Sequence, residues 1–90
     1  GLMYRTELAS DGMYFDLGGS FPARMWMKDT PLSLDMLFID ATGKLVHIVP
    51  DTAPYSTDII ASPSPVSAVI ELEAGRAAKE GIYRGAAVRH

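Results

Sequence analysis

The chain has 90 residues, 48% of them hydrophobic and 21% charged, with a formal net charge of −3. That composition supplies one apolar core, so residues 1–90 read as a single globular domain, and it excludes a disordered chain. Eight scattered basic residues under a net negative charge argue against nucleic-acid binding; the lack of cysteine excludes disulfides, thiolate catalysis and Cys-type zinc sites; and no apolar run approaches the ~20 residues that span a bilayer.

In chain order, Leu2, Met3 and Leu8 stand near helical spacing before Ala9-Ser10-Asp11-Gly12, which predicts a short helix around residues 3 to 9 stopped by Gly12. "MYFDL" follows as a strand closed by a turn at Gly18-Gly19. "ARMWMK" alternates, placing Met25 and Met27 on a core face and Arg24, Trp26 and Lys28 on the other. Asp29, Thr30 and Pro31 then bend the chain.

"LSLDMLFID" is a strand apolar on both sides, with Leu34, Met36 and Phe38 on one face and Leu37 and Ile39 on the other. Asp35 shares the second face. "DATGK" is a hairpin turn into "LVHIV", whose alternation groups Leu45, His47 and Val49 against Val46 and Ile48. Residues 50 to 65 carry four prolines and read as a long surface loop with a short extended piece at Ile59-Ile60. "VSAVIELEAG" is a strand with Ala68, Ile70 and Leu72 opposite Val69, Glu71 and Glu73; "EAGRAAKEG" reads as a second short helix ending at Gly81, and "AAVRH" as a terminal strand. The expected fold class is α+β, mostly β: a small, curled, mainly antiparallel sheet, barrel-like, with two short helices.

These segments carry a family likeness. "GLMYR", "GMYF", "WMKDTPLSLDMLFID", "GKLVHI", "VIELEAG" and a late Gly-Ile with a following Gly together resemble domain of unknown function 192, also called uncharacterised protein family 0127, over almost the whole chain. The resemblance implies a compact β-rich bacterial or archaeal domain and brings no reaction with it. Some members carry export signals, so it allows a periplasmic or exported location. It also implies a strand ahead of the Gly-Leu-Met segment that this sequence lacks, leaving an exposed sheet edge. Asp29 stands where the family usually has Asn, and Gly85-Ala86 where it has Gly-Asp.

Among the polar residues, Asp35 is the most demanding. A lone carboxylate on an apolar face must be paired, hydrogen-bonded or neutral. Either it accepts backbone N–H groups and a salt bridge, with Arg5, Lys28 and the Thr30 hydroxyl as candidate partners, or it lines a cleft. Trp26 and Lys28 form either a platform for a planar or sugar ring, with a cation at its side, or simple packing of the lysine stem over the indole. Asp29 and Thr30 serve the turn, or the mouth of a cleft beside Trp26. Glu71 either ties to Arg5 or Arg76, or joins Asp35 as a carboxylate pair. His47 reads as a packed residue, and the five methionines, at 3, 13, 25, 27 and 36, mainly as pliable core.

The functional expectation is a non-enzymatic binding or interaction module for a small polar ligand or a partner protein. Its polar cleft would be bounded by Trp26, Lys28, Asp29, Thr30 and Asp35 and supported by Arg5 and Glu71, without catalytic residue, metal or cofactor. The alternative is a small hydrolase using Asp35 and Glu71 on a sugar or ester. A structural assembly module docking through Met-rich and Pro-rich surfaces stands behind both.

Overall fold

A computed structural model describes residues 6–9 and 12–85 of the chain, with side chains from residue 12 onward. Strands β1 (Thr6–Ala9), β2 (Gly12–Phe21), β4 (Leu34–Ile39), β5 (Leu45–Val49) and β7 (Val66–Glu73) form one antiparallel sheet in the order β1-β2-β7-β4-β5. Two short strands, β3 (Arg24–Met25) and β6 (Ile60–Ala61), pair separately, and one helical turn, α1 (Arg76–Lys79), follows β7.

The central strand β7 is paired on both sides, which sets Phe15, Val69 and Phe38 in one cross-strand row and Tyr14, Ile70 and Leu37 in the next. Because side chains alternate across a pleated sheet, these rows feed two cores. One face buries Phe15, Leu17, Met36, Phe38 and Val69 beneath Ala23, Met25 and Met27. The other buries Leu37, Ile39, Leu45, Ala68 and Leu72 beneath Ala77 of α1. The double-faced apolar reading of residues 34–39 is met by this arrangement: one sheet with cover on both sides.

Several expectations are corrected. The sheet is open, with β1 and β5 at its ends, and does not close into a barrel. Residues 6–9 are a strand paired with β2 through Leu8↔Met13 and Ala9↔Gly12, so the first of the two predicted helices is absent over them; residues 3–5 lie outside the described part. So few residues make a marginal helix in water, and the ladder offered by β2 decides the conformation. The predicted terminal strand at 86–90 also lies outside the described residues.

Gly18-Gly19 does not end β2. The register against β7 shifts between Asp16 and Phe21, Gly18 takes φ 74, and its N–H donates to Asp16 Oδ1 at 2.8 Å, so the strand bulges and continues. A second bulge corrects the alternation of β5: Phe38 pairs with His47 and Ile39 with Leu45, leaving Val46 as the extra residue. Leu45 thereby joins Ile48 on the helix face, while His47 packs near Phe38 with ring centroids 5.6 Å apart.

The long loop after β5 is tied down by hydroxyls where prolines prevent a ladder. Buried Thr52 accepts the Leu34 N–H at 3.0 Å and donates to Met27 Sδ at 3.2 Å. Buried Ser62 accepts the Ala23 N–H at 2.8 Å. Ile60 pairs with Met25 and Ala61 with Arg24, one residue later than the predicted extended piece. The predicted hairpin at 40–44 forms, with Asp40 Oδ1 accepting from Thr42 N, Thr42 Oγ1 and Lys44 N at 2.7 to 3.0 Å.

Candidate functional site

Asp35 leaves β4 on the helix face and is 1% exposed. Its Oδ1 accepts the Asp51 N–H at 2.9 Å, and its Oδ2 accepts the N–H groups of Gly75 at 3.1 Å and Ala77 at 3.0 Å. The first N–H groups of a helix lack partners within it and are normally met by a capping side chain. The N-cap of α1 is Gly75, at φ 89, which has no side chain to offer. Asp35 supplies the missing cap from another strand, and its negative charge stands at the positive end of the turn. The same turn ends in a Schellman closure, Ile82 N–H to Ala77 O and Gly81 N–H to Ala78 O, with Gly81 at φ 69.

The third donor requires an unusual backbone. Asp51 sits at φ 51, a left-handed conformation that Asp and Asn tolerate better than most residues. A cavity of about 460 Å³ lies between α1 and the end of β5. Ile48, Pro50, Ile82 and the alanines of α1 form its walls, and Asp35 and Asp51 are its acidic lining. Among the described residues no three metal-binding side chains gather anywhere in the fold.

The WMKDT turn is a separate place. Met27 is buried among Met36 and Phe38 on the opposite face of the sheet from Asp35, and alternation turns Trp26 outward from there. Lys28 Nζ stands 5.4 Å from the centroid of the indole. Asp29, exposed at φ 62, forms the bend; the Thr30 N–H closes it on Met27 O at 3.0 Å; the Thr30 hydroxyl donates to Lys28 O at 3.4 Å. The bend is held by the following loop through Met27 N–H to Ser56 O and Tyr55 N–H to Thr30 O, both 3.0 Å.

The expected single cleft is therefore corrected. Trp26, Lys28, Asp29 and Thr30 come together, but Asp35 lies behind the sheet from them, and neither Lys28 nor Thr30 is its partner. Arg5 lies outside the described residues. Glu71 is in register with Met13 and Met36, on the face opposite Asp35, whose cross-strand neighbour is Leu72. The two acids thus project from opposite sides of the sheet and form no carboxylate pair. Partial burial raises the Glu71 carboxyl above its ordinary value. Arg76, its other anticipated partner, pairs with Glu80 along α1.

What the sequence reading missed is the other half of the Asp35 site: Asp51, Gly75 and the alanines of α1. Its one visible signal is a helix start at Gly75 with no Ser, Thr, Asp or Asn before Arg76, which implies a cap from elsewhere.

Two solved structures share this architecture. One is a "putative transcription regulator" from Sinorhizobium meliloti 1021, 48% identical, with a TM-score of 0.82 over 94% of this chain and 67% of that one. The other is a protein of unknown function from Novosphingobium aromaticivorans DSM 12444, 34% identical, with a TM-score of 0.87 over 100% of this chain and 65% of that one. The chain thus spans about two thirds of the length of each relative. No curated protein matches it. A model of the family DUF192, described as "Uncharacterized ACR", matches residues 1–90, and with the 48% identity to the first structure this means that the chain belongs to the DUF192 family.

Proposed function

We propose that this domain is a non-catalytic binding module whose ligand site is the cavity between α1 and β5. The observation that carries the reading is the 460 Å³ cavity itself, within the range of small-molecule sites, with aliphatic walls and a few polar groups at one side. Asp35 supports binding over catalysis because both its oxygens are engaged by backbone N–H groups, which hold it in place as a structural acceptor. The test is a fragment screen by amide NMR on the 90-residue chain. Saturable shifts confined to Asp51, Gly75, Ala77 and their neighbours are expected; fragments that shift only residues of the WMKDT turn would reject the site.

A second reading has its own observation. Trp26, Leu32, Tyr55 and Ile59 are 39%, 61%, 62% and 55% exposed, and come from two segments that the Met27–Ser56 and Tyr55–Thr30 bonds hold together. Exposed aromatic and aliphatic groups beside a cation are the composition of a protein-docking surface. A photo-crosslinker at position 55 should then trap a defined partner that is lost in Trp26→Ala, whereas one at Thr42 should not.

A further inference from the structure

Resting on the cavity as a ligand site, we infer that it takes a small organic cation, a primary ammonium carried on a short apolar stem. The lining fixes the sign. Its ionisable members are the carboxylates of Asp35 and Asp51, and no cationic side chain lines it. Among the described residues the Asp51 side chain accepts no hydrogen bond and has no ion-pair partner, while its N–H is given to Asp35. Asp35, 1% exposed and bonded by three backbone N–H groups, adds its charge from behind the lining and leaves the direct contact to Asp51.

The walls fix the rest of the ligand. Ile48, Pro50, Ile82 and Ala78 offer hydrocarbon and no donors. Asp51 is exposed, so it attracts a cation as a solvated carboxylate does, and the apolar wall supplies the rest of the contact. A bare inorganic cation would leave the apolar wall unused, and an anion would meet two like charges. An alkylammonium satisfies both parts, whether it is a free amine or the side chain of a lysine.

The test uses the whole 90-residue chain in amide NMR titrations at constant ionic strength, reading Asp51, Gly75 and Ala77. The probes are n-butylammonium, N-acetyl-lysine amide, n-butanol and butyrate. Both ammonium probes should shift the three amides saturably, butanol about fivefold more weakly or less, and butyrate not at all. The stronger of the two ammonium probes indicates a free amine or a lysyl side chain as the source. Asp51→Asn, which tolerates the same left-handed backbone, should weaken the ammonium probes about tenfold and leave butanol unchanged. Ala78→Ile should block every probe. Butanol binding as well as butylammonium, or an unchanged affinity in Asp51→Asn, overturns the cation inference and leaves the cavity reading standing. Ammonium shifts spread equally over the exposed acids Asp16 and Asp58 overturn it too. No response of these amides to any probe or screened fragment removes the cavity reading as well.

Discussion

Asp35 and Ala77 stand 42 positions apart, yet one carboxylate oxygen of the first accepts the backbone N–H of the second at 3.0 Å. With Gly75 and Asp51 also donating to it, this side chain is the point where β4, the end of β5 and the start of α1 meet. Asp35→Asn keeps the shape but turns an NH2 toward at least one of these donors, part-buried at Asp51 and Gly75 and buried at Ala77. A stranded donor costs about 1–3 kcal/mol, and Asn can strand the Asp51 N–H alone, so the variant should lose about 1–3 kcal/mol in urea unfolding. Amide exchange across α1 should accelerate along with it. An Asn variant as stable as the parent would mean that the three bonds do not hold the fold.

Gly12 tests the packing of the sheet where β2 approaches β7 closely. A Cβ there would lie 2.3 Å from the backbone oxygen of Glu71 and 2.6 Å from a methyl carbon of Leu72. The leucine methyl can turn away, but a paired backbone carbonyl cannot without opening the β2–β7 ladder. Gly12→Ala should therefore cost about 1–3 kcal/mol, despite the better intrinsic strand propensity of alanine. The urea midpoint measures it, and an unchanged or higher midpoint would contradict the close approach.

Much of the scaffold is legible in the sequence, because burial follows alternation where alternation is unbroken. Met25 and Met27 against Trp26, and Met36 and Phe38 against Leu37 and Ile39, fall on the predicted sides. Where one extra residue enters, as at Val46, the rule flips and Leu45 changes face, and no side chain announces it. The need of Asp35 for partners is legible too, but their identity is not. Backbone N–H groups carry no residue code, and those of Asp51, Gly75 and Ala77 reach it only through the topology. The convergence of Trp26 and Asp35 fails for a related reason: the bend between them passes the chain from the covering layer into the sheet, so the two side chains leave on opposite sides.

Thr52 should behave as a tie of the long loop, not as a surface residue. It is 5% exposed, and its hydroxyl stands between the Leu34 N–H and Met27 Sδ. Thr52→Val preserves the volume and removes the acceptor, leaving a part-buried N–H without its partner. A loss of about 1–2 kcal/mol is expected, together with faster proteolysis within residues 50–60. Thr57→Val, at an exposed position of the same loop whose hydroxyl makes no hydrogen bond among the described residues, serves as the comparison. Equal effects from the two substitutions would remove the special role assigned to Thr52.

Glu71 should make the domain less stable as the pH rises from acid to neutral. Burial raises its carboxyl above the ordinary 4.5. Between that value and the raised folded one, the folded chain holds a proton that the unfolded chain has released, so stability present below 4.5 declines as the pH climbs through the folded value. Glu71→Gln removes this term: the variant should exceed the parent in urea midpoint at pH 7, and the gain should vanish near pH 4. Asp40 carries the opposite sign. The Thr42 hydroxyl first, with the Lys44 and Thr42 N–H groups, lowers its carboxyl below 3.8, so its contribution is present above 3.8 and is lost as the pH falls through the folded value. Asp40→Asn should accordingly flatten only the acid limb, and Glu71→Gln only the limb above 4.5. Urea midpoints from pH 3 to 8 separate the two, and a Glu71→Gln profile parallel to the parent above pH 4.5 would show that this acid is as well solvated folded as unfolded.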